Sequence, residues 1–310
     1  VIRRRGTAVA TTLLLAALVA AGCGLGPGER VGDVSLKVTR EFGAVPVIHG
    51  LQVSADESDT VMRVLEGNAE ITTRYGGGFV QSIEGVEGGT RGGRSYDWFF
   101  FVNGVESPIG AAEFDLDGGE QIWWDYRDWT AASRVPAVVG SFPAPLLGGY
   151  GGHAHPVVLE CEGGGRACPE ARRALSGEGV ELAGGSPPGA IRVLVGPWRR
   201  LRSDPAAALL AAGPAESGVY AEFEGSGAGL RLHGLDPGAG DAREFGPGAG
   251  LVAATRRYES PPTWLITGVT GAGVREAAAA LSAAALRDHY AVAVEGVRTV
   301  PLPIDPGEGG

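Results

Sequence analysis

Apolar residues in the first third of the chain recur mostly at alternate positions. In "VSLKVTREFG" (residues 34–43) Val34, Leu36 and Val38 alternate with polar neighbours, the pattern of a strand with one buried face. The period changes in "SADESDTVMRVLEGN" (54–68), where Val61, Val64 and Leu65 stand at helical spacing. Ser58 or Asp59 is the expected N-cap there, and Gly67 the stop. "AEITTRY" (69–75) and "GFVQSIEGV" (78–86) read as a strand pair broken at three glycines. "YDWFFFVNGVESPIG" (96–110) reads as a strand running into an Asn103-Gly104 hairpin turn. "DLDGGEQIWWDYRDW" (115–129) turns at Asp117-Gly118-Gly119 and closes with a last strand. One helix on a mixed sheet of about five strands predicts a β-grasp-like domain over residues 34–130.

Residues 136–303 carry a different rhythm. Three segments, 155–175, 191–213 and 263–286, each pass from a β-branched run through a turn into an Ala/Leu-rich helix. Shorter strands are expected at 218–225, 228–234, 250–258 and 290–296. Repeated strand–loop–helix units predict an α/β domain whose sheet holds parallel and antiparallel strands, so the chain as a whole is α+β. "TAASRVPA" (130–137) is the expected joint.

Aromatic residues change the picture. Ten of them fall within residues 95–129, among them Trp98, Trp123, Trp124 and Trp129, four of the six tryptophans. On a strand Trp98 and Phe100 point to one face, Phe99 and Phe101 to the other. A single short helix covers one face, so the other must meet a ligand, the second domain or a partner.

At the N-terminus Arg3, Arg4 and Arg5 precede an apolar stretch from about Ala8 to Ala21, too short for a stable membrane span and read as a signal peptide over residues 1–22. "VAAGC" (19–23) resembles the lipobox of bacterial lipoproteins. That resemblance implies a lipidated Cys23, a tether over residues 23–33, and an extracytoplasmic protein anchored to the membrane by its lipid. Without residues 1–22 the chain has 23 basic against 36 acidic residues, an acidity that excludes nucleic-acid binding and leaves the lipid as the membrane contact. One lysine against 25 arginines, with abundant Gly and Ala, suits a GC-rich, actinobacterial genome. Outside the cytoplasm Cys161 and Cys168 are expected to form a disulfide.

Catalytic signatures are missing. There is no G-x-S-x-G elbow or P-loop, and Ser217 has no recognisable partner. "GVTGAGV" (268–274) reads as a tight turn with Thr270 as helix cap. Arg199, Arg200 and Arg202 read as a solvated helix start. His153 and His155 would share one face of a strand, yet no third ligand follows at a suitable spacing, so neither a metal nor a cofactor is expected. The chain is read as a non-enzyme.

"YGGGFVQSIEGV" (75–86), followed by "WFFFVNGVESPIGAAEFDLDGGEQIWWDY" (98–126), resembles the C-terminal β-domain of transcobalamin and intrinsic factor and its bacterial relatives. The resemblance covers residues 34–129. It implies a small-molecule ligand, a corrinoid in the family, held by Tyr75, Phe79, Gln81, Ser82, Trp98, Phe100, Asn103 and Ile109. In the family the ligand lies between this domain and a helical barrel, and no segment here reads as that barrel. The leading expectation is a lipoprotein that binds a small molecule for uptake or delivery, with a transporter as possible partner. The alternative is an envelope assembly or adhesion protein whose aromatic face grips a protein or glycan. A cell-envelope hydrolase is the weakest reading, and packing of the aromatic face on the second domain stays open beside all three.

Overall fold

The computed structural model describes residues 28–163 and 165–305, and the fold is α+β. The expected signal segment and Cys23 lie outside the described residues. The first unit contains β1 (Arg30–Arg40), β2 (Val45–Asp56), α1 (Val61–Glu66), β3 (Ile71–Arg74), β4 (Phe79–Ile83) and β5 (Val86–Glu87). It continues through β6 (Gly89–Arg91), β7 (Arg94–Val102), β8 (Val105–Glu106) and β9 (Gln121–Asp128). Its main sheet has the order β2-β1-β9-β7-β6, with β8 paired to β7. β1 and β9 run parallel at the centre and the remaining pairs are antiparallel, the β-grasp-like arrangement expected. The 69–86 pair is not part of that sheet. With β5 it makes a separate three-stranded antiparallel sheet.

Local chemistry explains several boundaries. The hairpin turn after β7 has Asn103 and Gly104 both at positive φ, 48° and 72°, as a two-residue turn matched to strand twist requires. The helix cap is Thr60, which accepts from the Arg63 N–H, and not Ser58 or Asp59. The Asp59 carboxylate is already taken by the Asp56 N–H, 2.9 Å away, one turn earlier.

The second unit begins with α2 (Ala144–Leu147), β10 (Val157–Cys161), α3 (Ala167–Gly177), β11 (Ile191–Val195), α4 (Trp198–Leu201), α5 (Pro205–Ala211) and α6 (Pro214–Ser217). β12 (Ala221–Glu224), β13 (Arg231–Leu235) and β14 (Asp241–Phe245) form a small antiparallel sheet. Then come β15 (Gly250–Thr255), β16 (Thr263–Gly268), α7 (Gly271–Ala279), α8 (Ala283–Leu286), β17 (Ala291–Glu295) and β18 (Arg298–Leu302). The main sheet runs β10-β11-β16-β15-β17-β18, parallel across its first three strands and antiparallel across the rest. Each parallel strand feeds helices, as the three repeated units predict. Cys161 at the end of β10 is bonded to Cys168 at the start of α3.

Strands β2, β6, β14 and β18 were not expected. β14 carries mostly exposed polar residues and has no apolar alternation to betray it. β18 contains Pro301, which an edge strand tolerates because one side of its backbone has no partner to donate to.

The two units share a core. Phe42, Phe101 and Trp123 of the first pack in one cluster with Tyr220, Leu235, Phe245 and Tyr290 of the second. Residues 130–137, expected as a joint, are part of this packing: Ala132 and Val135 are fully buried. The buried Arg127 donates from Nη1 to the Ala132 carbonyl at 2.7 Å.

Candidate ligand-binding cleft

Strand alternation places Lys37, Thr39, Phe99, Phe101, Trp123, Asp125 and Arg127 on one face of the main sheet. The C-terminal half closes that face. The Tyr290 ring stands edge-on to Phe101 and Trp123, 5.6 Å from each. The Lys37 ammonium lies 3.7 Å over the Trp123 ring and donates to Asp288 at 2.5 Å. Burial pulls its pKa down against the attraction of Asp288. Beneath them the fully buried Asp125 carboxylate accepts from the Thr39 hydroxyl (2.5 Å), the Phe42 and Gly43 N–H groups (3.0 and 3.1 Å) and the Tyr290 hydroxyl (2.9 Å). Its pKa is pushed up to about 6 by burial, with those donors pulling back. Phe101, Trp123, Asp125 and Arg127 are completely buried beneath this cover. Of the three partners expected for the aromatic face away from the helix, a ligand, the second domain or a partner protein, the second unit is the one that covers it.

The opposite face carries Trp98 and Phe100 from β7 and Trp124 and Tyr126 from β9. It packs against α1, which buries Val61, Met62, Val64 and Leu65. Six helical residues span about 9 Å, whereas the nine residues of β7 span about 30 Å. The helix therefore covers only part of the rings. Beside it opens a recess of about 200 Å³ lined by Met62, Phe79, Trp98, Phe100, Ala111 and Trp124, with Glu106 and Ser107 at its polar edge.

Ring geometry sets the shape of this cleft. Phe100 and Trp124 are directly paired across β7 and β9, with centroids 4.9 Å apart, and Phe114 meets Phe100 edge-on at 6.5 Å. The Trp98 Nε1 donates to the Val86 carbonyl at 2.9 Å, and the Tyr126 hydroxyl to the Glu87 carbonyl at 3.0 Å. Those bonds tie β5 across the rings. The Trp124 Nε1 has no partner although the side chain is only 3 % exposed. Buried indole N–H groups usually find a partner, so this one is an exception in the packing around the recess.

Of the residues the resemblance implied, Phe79, Trp98 and Phe100 line the cleft. Tyr75 stands 87 % exposed on the Tyr75–Gly77 turn, its ring edge-on to Phe79 at 6.2 Å. Ile109 is exposed in the loop next to Gly110, another cleft-lining residue. The three polar members are engaged elsewhere. Gln81 donates to Glu87 Oε1 and the Gly88 carbonyl, and Ser82 shares a 2.6 Å bond with Thr72. Asn103 donates to the Gly149 carbonyl and accepts from the Gln121 N–H, bracing the hairpin against the second unit. Trp124 was not among the implied residues. Its alternation with Trp123 on the last strand, opposite Phe100, was the signal available.

The other motifs have structural roles. Thr270 caps α7 through the Gly273 N–H, and a Cβ on Gly273 would lie 2.0 Å from the Ala249 carbonyl oxygen, so this glycine permits close helix–strand packing. The Ser217 hydroxyl donates to Gly213 O and accepts from the Val219 N–H. His155 stacks on Tyr150 with centroids 4.2 Å apart. Among the described residues no three His, Cys, Asp or Glu side chains converge as metal ligands, and no helix is long and apolar enough to cross a membrane.

A family model described as a domain of unknown function (DUF4430) matches residues 58–128, from the approach to α1 through the end of β9. β1, β2 and the whole C-terminal half lie outside that match. The solved structures include a protein of Ruminococcus gnavus ATCC 29149 to which metal binding has been ascribed. It is 11% identical, the alignment covers 31% of this chain and 97% of that chain, and the TM-score is 0.24. None of the curated proteins compared with this chain matches it.

Proposed function

We propose that the chain is a non-enzymatic, lipid-anchored extracytoplasmic protein whose first unit binds a small molecule in the cleft beside α1. The observation that carries this reading is the aromatic recess walled by Phe79, Trp98, Phe100 and Trp124, beside a helix too short to cover it. Apolar and aromatic walls suit the edge of a flat ligand. The two motifs of the transcobalamin resemblance lie within the matched 58–128 segment, which supports a corrinoid as first candidate. A recess of about 200 Å³ holds only an edge of such a molecule. The corrin would lie across the mouth, against Tyr75 and Ile109. Anchoring through Cys23 would keep the bound ligand near an uptake system.

Titrating the purified chain with cyanocobalamin tests this reading through the corrin absorption bands and tryptophan fluorescence. Saturable spectral change, lost in Trp98→Ala with the fold retained, is the expected result. Silence with every corrinoid tried removes the corrinoid, and silence across a wider small-molecule screen removes the cleft as a small-molecule site. The exposed Tyr75 and Ile109 at the rim favour a second reading, in which the same rings grip a protein or glycan of the envelope.

A further inference from the structure

A second, larger recess is linked to the aromatic cleft through the Arg134–Glu106 ion pair. It measures about 600 Å³ and opens where residues 133–136 cross α5, α6 and the loop that follows β15. This exceeds the lower end of small-molecule sites, about 300 Å³. Its walls divide by chemistry. Pro136, Pro205, Ala208 and Leu209 supply an apolar side, and Arg134, Arg256, Arg257 and Glu216 bring charge.

Two of the arginines are already committed. Arg134 Nε meets the Glu106 carboxylate at 3.2 Å. Arg256 is 8 % exposed, donates to the Ser260 carbonyl at 2.8 Å, pairs with Glu259 and lies 5.2 Å over the Tyr150 ring. Arg256 thus pins the loop and leaves little for a ligand. The remaining charges, Arg257 and Glu216, have no ion pair or side-chain hydrogen bond among the described residues, with each other or with any neighbour. The Arg257 guanidinium only flanks the Tyr258 ring, 5.5 Å from its centroid. That ring is 79 % exposed, and Tyr258 has φ 51°. This left-handed backbone is costly for a residue with a bulky side chain, and such strain concentrates at ligand sites.

We infer that this recess binds a zwitterion with an apolar body, of the α-amino acid type. Its carboxylate is held by Arg257, its ammonium by Glu216, and its side chain by Tyr258 and Leu209. A planar guanidinium accepts a carboxylate through two parallel hydrogen bonds, whereas a carboxylate opposite it takes an ammonium. The local balance favours a neutral ligand with both charges over an anion. Arg134 and Arg256 are neutralised by Glu106 and Glu259, which leaves one charge of each sign.

Calorimetric titration of the purified chain with L-phenylalanine, 3-phenylpropionate and 2-phenylethylamine tests the assignment. These share one apolar body and carry both charges, the anion alone, or the cation alone. The zwitterion is expected to bind saturably and more tightly than either analogue. Charge-assisted hydrogen bonds contribute about 1.5–3 kcal/mol, so Arg257→Gln and Glu216→Gln should each weaken binding by about tenfold or more. Arg199→Gln, outside the recess, should leave binding unchanged. Both mutated side chains are exposed, so thermal melting should match the parent. No saturable binding of L-phenylalanine overturns the inference. So does an analogue that binds as tightly, or an affinity unmoved by either substitution. None of these outcomes touches the aromatic cleft, whose Trp98→Ala test is independent.

Discussion

Replacing Asp125 with Asn tests how the two halves are joined. The carboxylate sits fully buried between β1, β9 and Tyr290, with four donors on its two oxygens. Burial raises its pKa from 3.8 to about 6. Below pH 3.8 the group is protonated in both the folded and the unfolded chain, and it contributes no pH dependence. Between 3.8 and 6 the unfolded chain releases the proton while the folded chain keeps it, so stability falls as pH rises. Above 6 both are ionised and the penalty is complete. A shift of that size corresponds to about 3 kcal/mol in total, of which about 2 kcal/mol develops between pH 4 and 7. Asn does not titrate and loses this slope. It also turns an NH₂ toward two of the four donors, at a cost of about 1–3 kcal/mol for each donor left unpaired, at every pH. The Asn chain should therefore be less stable than the parent, by a margin that narrows by about 2 kcal/mol from pH 4 to pH 7. Urea unfolding followed by tryptophan fluorescence at pH 4, 5, 6 and 7 measures the margin, and other titrating groups cancel in the difference. A margin that stays constant, or widens toward neutral pH, would refute the argument, because the four donors would then outweigh burial.

A Cβ on Gly43, whose φ is 90°, would lie 1.8 Å from the Asp288 carbonyl oxygen. Gly43→Ala should force the β1–β2 turn off the second unit and cost more than about 3 kcal/mol in urea unfolding. Trp124→Phe removes an indole N–H that has no partner. It should leave the free chain at least as stable, since an unpaired buried donor costs about 1–3 kcal/mol, while weakening any ligand that uses it. Cys161→Ser opens a loop whose ends are seven residues apart. By loop-closure entropy it should lower stability by about 2–3 kcal/mol, seen as an earlier urea midpoint under oxidising conditions.

Much of the local structure can be read directly from residue order. Alternation is a property of neighbouring positions, so the strand through Trp98–Phe101 and its two ring-bearing faces follow from periodicity alone. The Asn103-Gly104 turn follows from two residues that tolerate positive φ. The strand–loop–helix repeats follow from β-branched runs passing into Ala-rich ones. The Thr60 cap was less legible, because Ser58, Asp59 and Thr60 all suit a cap, and only the Asp56 N–H, brought round by the preceding turn, removes Asp59 from the choice.

Which aromatic face stays open was not written in any local pattern. Periodicity says that Phe101 and Trp123 share a side, but not that Tyr290, more than 160 residues on, would close it. Nor does it say that six helical residues would leave a recess beside Trp98 and Phe100. Gln81, Ser82 and Asn103 look like ligand contacts beside aromatics in the chain, yet in space backbone and side-chain partners satisfy them first. The seal, the cleft and the opposite charges brought to the second recess depend on contacts between distant segments. Those are chosen by the packing of whole units, because a side chain's exposure is set by what folds over it and not by its neighbours in sequence.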